Sequence, residues 1–379
     1  MNRRVRILAV VGALLLLTGT AVRLSAFGGD DPQPLYLVLS HHPHDLEALA
    51  PHTVPHMDEG RLKVVRLRKD LDELSPNLQS LLRRVRPSEL KSYIPEIPSR
   101  SLKRRIEVEE VLKKISKAKY QDYLTFLASF EDRDVAGLDR KANSGNERAV
   151  QWIKSEFEKL NYQTSLHCYK SRRYAEECNV VAMRPGRELQ DEWVVVVGHL
   201  DDVGHHQAGA DDNASGAVAL LEMARVMSEQ PTSKTIVFLA ANGEETGLVG
   251  SKAYVKSLSE SGDLSKVKYS INMDMIGYNE NGLIDIETNN EFESEAKWYS
   301  AQVKTYTRLT PNITMPAWGS DHVPFLNQKI PTILTIEHWN TKTPCYHQSC
   351  DKLNTVVWDY AMEIVRLNVA VSLLKAGIL

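Results

Sequence analysis

The stretch VVVVGHLDD, residues 194–202, decides how this chain is read. Four consecutive valines have the β-branched, apolar character of a strand buried on both faces, as strands in a parallel sheet are. The run stops at His199 and spills into Asp201 and Asp202, and GADDNASG, residues 209–216, follows shortly after. A polar turn at a strand exit is ordinary punctuation, so the test is whether other strands end the same way.

Working outward, NVVAM (179–183), TIVFLAA (235–241), YSINMDM (269–275) and TILTIE (332–337) are further short apolar runs. Between and around them lie helical patterns. SGAVALLEMARVMS (215–228) and GSKAYVKSLSE (250–260) are two, and TVVWDYAMEIVRLNVAVSLLK (355–375) is a long one at the C-terminus. In NERAVQWIKSEFEKL (146–160), Ala149, Trp152, Ile153, Phe157 and Leu160 fall at helical spacing, which predicts one inward stripe. This alternation predicts an α/β fold with a mixed, mainly parallel central sheet and helices on both faces. In such sheets ligands bind beyond the carboxyl ends of the strands.

The other exits do carry ligand-type residues. Residues 235–247 run out at Glu244 and Glu245, Asp274 sits between Met273 and Met275, and His347 lies in a loop between two cysteines. An acid inside an apolar run must find a partner. Each position has a bland reading on its own: Asp201 and Asp202 as turn formers, Asp212 as a helix cap, the two glutamates as a solvated loop, His347 as a surface imidazole. Jointly, His199, Asp212, Glu245, Asp274 and His347 form a set of imidazoles and carboxylates suited to two Zn2+ ions sharing a bridging carboxylate. His205 and His206, between His199 and Asp212, read as solvated loop residues.

The chain has 379 residues, 42% apolar, with 46 Lys+Arg against 49 Asp+Glu, so its total charge recommends neither nucleic acid nor an anionic membrane as partner. MNRRVR followed by 16 uncharged, mostly apolar residues reads as a signal peptide over 1–26, since a membrane span needs roughly 20 apolar residues. Secretion or periplasmic export follows, with an uncleaved anchor as the alternative and no stable membrane partner after cleavage. The four cysteines fit an oxidising compartment, and short loops close most easily, which favours Cys168 with Cys178 and Cys345 with Cys350. Residues 27–110 mix short apolar runs with prolines and basic clusters, and read as a small α+β appendage or a pro-region with a cutting point at Lys103, Arg104 and Arg105. The catalytic domain is expected over 111–379.

GHLDD, GADDNASG, NGEETGLVGS, NMDMIGY, GSDHVPF and CYHQSCD together resemble the ordered motifs of the secreted bacterial leucyl aminopeptidase family of dizinc exopeptidases, whose superfamily includes glutamate carboxypeptidase and glutaminyl cyclase. The resemblance covers about residues 115–379. It implies the zinc exopeptidase fold, with His199 and Asp274 on one zinc, Glu245 and His347 on the other, and Asp212 bridging. It further implies that Asp201 orients His199 and that Glu244 is the general base. Met275, Phe325 and Tyr346 are expected to give a substrate pocket its apolar wall, with Asp321 and His322 on the substrate side. The function implied is an aminopeptidase, a monomer releasing apolar N-terminal residues from peptides. The alternatives are a glutaminyl cyclase, which works with one zinc, and a non-catalytic binding domain, which would lack ligands.

Overall fold

The computed structural model describes residues 33–40, 43–59, 61–99, 103–130, 132–135, 144–170, 176–204 and 208–379. The expected signal peptide, and His205 and His206, lie outside the described residues.

The large sheet has nine strands among the described residues: β5 (Lys91–Tyr93), β6 (Gln163–Lys170), β7 (Glu176–Arg184), β8 (Leu189–His199), β9 (Lys234–Ala241), β10 (Val267–Met273), β11 (Leu283–Glu287), β12 (Thr310–Met315) and β13 (Thr332–Glu337). Their order is β5-β12-β11-β13-β10-β8-β9-β7-β6. The central ladders β13-β10, β10-β8 and β8-β9 are parallel, as is β11-β12. The other pairings are antiparallel, so parallel character is concentrated at the centre, where the site lies.

The valine run explains itself in this setting. Val194 and Val196 pack into one core and Val195 and Val197 into the other, all at most 1% exposed. Successive residues of a strand point to opposite faces, and here both faces are covered. One face carries α6 (Gly216–Met227), with α4 (Lys117–Ala128), α5 (Gly145–Lys159), α8 (Glu293–Tyr306) and α10 (Trp358–Ala376); the other carries α7 (Val249–Ser261) and α9 (His322–Asn327). Gly198 lets the start of α6 approach β8, because a Cβ there would meet Gly216 backbone at 3.0 Å. In α5, Ala149, Ile153 and Phe157 are fully buried as the spacing predicts, with Trp152 and Leu160 half-buried at the edge of that stripe.

Before this body comes a second, smaller layer: antiparallel β1 (Leu35–Val38), β2 (Thr53–Glu59), β3 (Leu62–Leu67) and β4 (Leu82–Val85), in the order β2-β3-β1-β4, with helices α1 (Pro43–Leu49) and α2 (Pro76–Ser80). The helices cover one face with Leu49, Leu46 and Leu78. Leu35, Leu37, Leu62, Val64 and Val85 pack on the other against Trp318 of the main body. The chain then joins the large sheet directly through β5, passes α3 (Ile106–Leu112), and enters α4.

Candidate metal centre and cavity

The predicted donors meet at the carboxyl ends of the central parallel strands. His199 is the last residue of β8, Glu244 and Glu245 follow β9, and Asp274 follows β10. Asp212 lies in the irregular turn that opens α6, and its peptide bond to Asn213 is cis. His347 is carried between Cys345 and Cys350, which are bonded to each other, as are Cys168 and Cys178.

Nε2 of His199 stands 3.3 Å from Oδ1 of Asp274 and 3.4 Å from Oδ1 of Asp212. Nε2 of His347 stands 3.1 Å from Oδ2 of Asp212 and 3.1 Å from Oε2 of Glu245. Asp212 thus offers one oxygen to each side of a divided site. The donor atoms of His199, Asp212 and Glu245 lie within 4.8 Å of one another, as do those of His199, Glu244 and Asp274.

Neighbouring groups hold these side chains. The Asp201 carboxylate accepts from the backbone N–H of Glu244 at 3.2 Å and of Glu245 at 3.2 Å, while its Oδ1 lies 3.5 Å and its backbone oxygen 3.2 Å from Nδ1 of His199. Ser320 Oγ donates to Oδ2 of Asp274 at 2.6 Å. Asp351 accepts from the N–H of Asp211 at 2.9 Å and of Asp212 at 3.0 Å. Arg133, 0% exposed, ties the loop after His199 to the turn before Asp212 by donating to Leu200 O at 2.9 Å, Ala208 O at 2.6 Å and Gly209 O at 2.9 Å.

The electrostatics call for cations. Burial and the nearby Asp212 push Glu245 up to about 7, and burial with the Glu245 and Asp274 charges pushes Glu244 well above the usual carboxylate range. Against the cost of its own burial, His347 is pushed up to about 10 by Glu245 and Asp212. Crowded buried acids behave this way when protons stand in for missing positive charge. Oε1 of Glu245 is buried without a hydrogen-bond partner. A spare oxygen, two imidazoles and a shared carboxylate fit two divalent ions.

The donors open into a cavity of about 680 Å³, within the range of ligand pockets. Met275 and Tyr346 line it, together with Leu248, Val323, Ile336 and Trp339. The Tyr346 ring stacks on His347 at 3.8 Å between centroids. Three expected substrate-side residues stand back from this cavity. Phe325 packs in the core beneath α9; His322, 0% exposed, meets Oε1 of Glu287 at 3.1 Å; and Asp321, also 0% exposed, accepts from Ser251 Oγ. These three side chains point away from the cavity, while Gly319 and Val323 of the same motif and Trp318 just before it reach the lining.

Sequence reading missed the smaller layer's part in this wall. Leu39, Ser40, Asp45, Arg61, Leu81 and Arg83 all line the cavity. Arg61, 2% exposed, donates from Nε to Oε2 of Glu287 at 2.8 Å and from a terminal nitrogen to Trp318 O at 2.6 Å. Its guanidinium lies 4.6 Å from the Trp318 ring centroid and 4.8 Å from that of Trp339. No motif in a single sequence marks such a contact. Asp351 was missed as well, although its place directly after Cys350 in CYHQSCD is a signal that could have found it.

A divided centre of buried acids and imidazoles at the parallel-strand ends of a mixed α/β sheet defines a zinc-exopeptidase type of protein. Residues 179–372, just over half of the chain, match peptidase family M28, and the chain belongs to that family. Two zinc ions are the cofactor of its centre. The chain is 31% identical over 245 residues to leupeptin-inactivating enzyme 1 of Streptomyces exfoliatus, covering 57% of this chain and 54% of that protein. It therefore spans about half the length of that relative. The LapA aminopeptidase of Legionella pneumophila shares the fold at a TM-score of 0.66 with 21% identity, over 92% of this chain and 99% of its own. BSAP, a zinc aminopeptidase from Bacillus subtilis, shares it at 0.61 with 15% identity, over 69% of this chain and 96% of its own. The LapA likeness, at 92% of this chain, extends into the smaller layer.

Proposed function

We propose that this chain is a zinc aminopeptidase that releases apolar N-terminal residues from peptides. The observation that carries this reading is the Asp212 carboxylate placed between His199 and His347, with Glu245 and Asp274 on opposite sides and Glu244 beside them. His199 and Asp274 would hold one ion and Glu245 and His347 the other, with Asp212 shared between them.

Bound there, zinc would supply Lewis-acid activation of a water and of the scissile carbonyl near neutral pH. Glu244 lines the cavity next to its neighbour Glu245 and is free to face that water, because the Asp201 carboxylate holds both backbone amides and lets the adjacent side chains diverge. A carboxylate in that position can take a proton from water and return it to the leaving amine. Asp201 also keeps His199 in place through Nδ1, leaving Nε2 for the ion. Met275, Tyr346 and Trp339 give the first residue of the substrate an apolar wall.

The smaller layer belongs to the working enzyme in this reading. Its buried Arg61–Glu287 pair, its packing on Trp318 and the insertion of β5 into the large sheet support retention rather than removal. Export is part of the same proposal, supported by the two disulfides. Among the described residues no helix is long and apolar enough to cross a membrane.

The test is hydrolysis of leucine p-nitroanilide against its N-acetyl analogue, with glutaminyl peptides alongside and Glu244→Ala as control. Cleavage of the free substrate alone is the expected result. Cyclisation of the glutaminyl peptides without hydrolysis overturns the reading.

A further inference from the structure

The smaller layer brings cations to a cavity whose other end is acidic. Arg61 is consumed by Glu287, Trp318 and two indole faces. Arg83 is different. It lines the cavity half-buried and donates from one terminal nitrogen to Ala317 O at 3.1 Å, and among the described residues no carboxylate stands within the 4.0 Å of an ion pair. A guanidinium has five N–H donors in a planar fork, so most of its capacity is unused by the fold. Burial lowers the Arg83 pKa despite the pull of Glu287 and Glu89, which is the mark of a cation short of a close counter-ion. Asp45, the acid that the same layer adds to the cavity, is engaged by Ser40 Oγ at 2.6 Å.

The position of Arg83 relative to the metal centre follows from the segment that links them. Ala317 O accepts from Arg83, and Ser320, three residues on, donates to Asp274. Three residues of chain span at most about 11 Å between Cα atoms, and the hydrogen bonds and side-chain arms at the two ends roughly double that limit. A peptide bound with its scissile carbonyl at the centre presents a carboxylate within that reach when it ends a few residues on, or when a residue soon after the cut is acidic. A dipeptide's terminal carboxylate lies about one residue beyond the scissile nitrogen and a tripeptide's about two, at roughly 3.5 Å each.

We propose that Arg83 is a specificity residue of the catalytic cavity that binds a substrate carboxylate a few residues beyond the scissile bond, making this enzyme selective for short peptides, di- and tripeptides among them, with a free C-terminus. This rests on the aminopeptidase reading and names its substrate class. The chemistry it recognises is a carboxylate presented to a planar guanidinium, the pairing for which arginine is best shaped. An acidic side chain after the cut offers the same group, and the experiment separates the two sources.

The zinc-loaded full-length protein is assayed on Leu-Gly and Leu-Gly-Gly, each against its C-terminal amide, and on Leu-Asp-amide against Leu-Asn-amide. In the wild type the ratio of kcat/KM for acid over amide is expected at roughly tenfold or more, expressed mainly in KM, as loss of a charge-assisted hydrogen bond implies. In Arg83→Gln that ratio falls to about one, and Arg83→Lys restores part of it. Using a ratio within each protein cancels any general loss of competence. Arg84→Gln, on the neighbouring exposed side chain, keeps the wild-type ratio. Discrimination in the Leu-Asp pair and not in the peptide acids assigns the carboxylate to the side chain and overturns the short-peptide selectivity. A ratio near one in the wild type, or a high ratio that survives Arg83→Gln, overturns the role of Arg83 while leaving the aminopeptidase intact. A zinc-loaded protein that cleaves none of these peptides overturns both.

Discussion

Arg61 donates to Glu287 at 2.8 Å across 226 residues of sequence, with side-chain exposures of 3% and 0%. The pair joins the smaller layer to the body that carries the metal centre. Removing one member of a buried pair leaves the other charged and uncompensated, at a cost of about 3–5 kcal/mol. Arg61→Leu is expected to lower stability by about 3 kcal/mol in urea unfolding at neutral pH, with His322 beside Glu287 limiting the loss. A midpoint within error of the wild type would show the layers to be energetically separate. For the same reason, proteolytic trimming near Arg105 is expected to lower activity; a rate increase would restore the pro-region reading.

Glu244→Gln removes the proposed base while preserving side-chain volume and the amide that Asp201 holds. The expected loss is about 10²- to 10⁴-fold in kcat with zinc content retained. Zinc content is read by elemental analysis beside the kinetics, and loss of metal in parallel with activity would move Glu244 from base to ligand.

Asp201→Ala strips the acceptor from two backbone amides and a support from His199. Outer partners of metal ligands are worth about 10–100-fold in affinity. Competition with a chromogenic chelator should show weakening of that order, and an unchanged affinity would confine Asp201 to the backbone.

Chelation is expected to lower the melting temperature, and by an amount that grows with pH. In the metal-free protein Glu245 and Asp212 hold His347 up to about 10 against its burial, above the unfolded value of about 6.5. A raised pKa means the proton stabilises the fold: that contribution is complete below about pH 6.5 and is lost as pH rises through about 10. With zinc bound, His347 is neutral and contributes no such slope. The gap between zinc-loaded and metal-free melting temperatures should therefore widen from pH 7 to 10. A constant gap would place His347 outside the centre.

The Cys345–Cys350 bond closes a five-residue separation around His347. In the chain-entropy account a loop that short is worth about 2 kcal/mol. Replacing both cysteines by serine is expected to weaken zinc on the Glu245–His347 side first, visible as a second, looser phase in metal titration.

Much of this was legible along the chain, and the reason is periodicity and chemistry at strand ends. The alternate packing of Val194–Val197 into two cores follows from a β-branched run that has nowhere polar to face. That His199, Asp212, Glu245, Asp274 and His347 would meet was legible because acids and imidazoles recur where apolar runs stop, and the Cys345–Cys350 pairing because its loop is short. Phe325, His322 and Asp321 do not line the cavity because a motif's neighbours in sequence need not face the same way: Phe325 packs in the core, His322 meets Glu287 and Asp321 meets Ser251.

Local pattern by itself determined the strands, the helices, the acids and imidazoles at the strand ends and the two cysteine pairings, since each depends on residues within a few positions of one another. Only the tertiary structure decided that Arg61 and Arg83 of an unremarkable basic segment reach the cavity, and that Asp351 braces the turn of Asp212. Those contacts depend on how two layers dock. A charged side chain selects its partner by burial and distance, and neither is written in the order of residues.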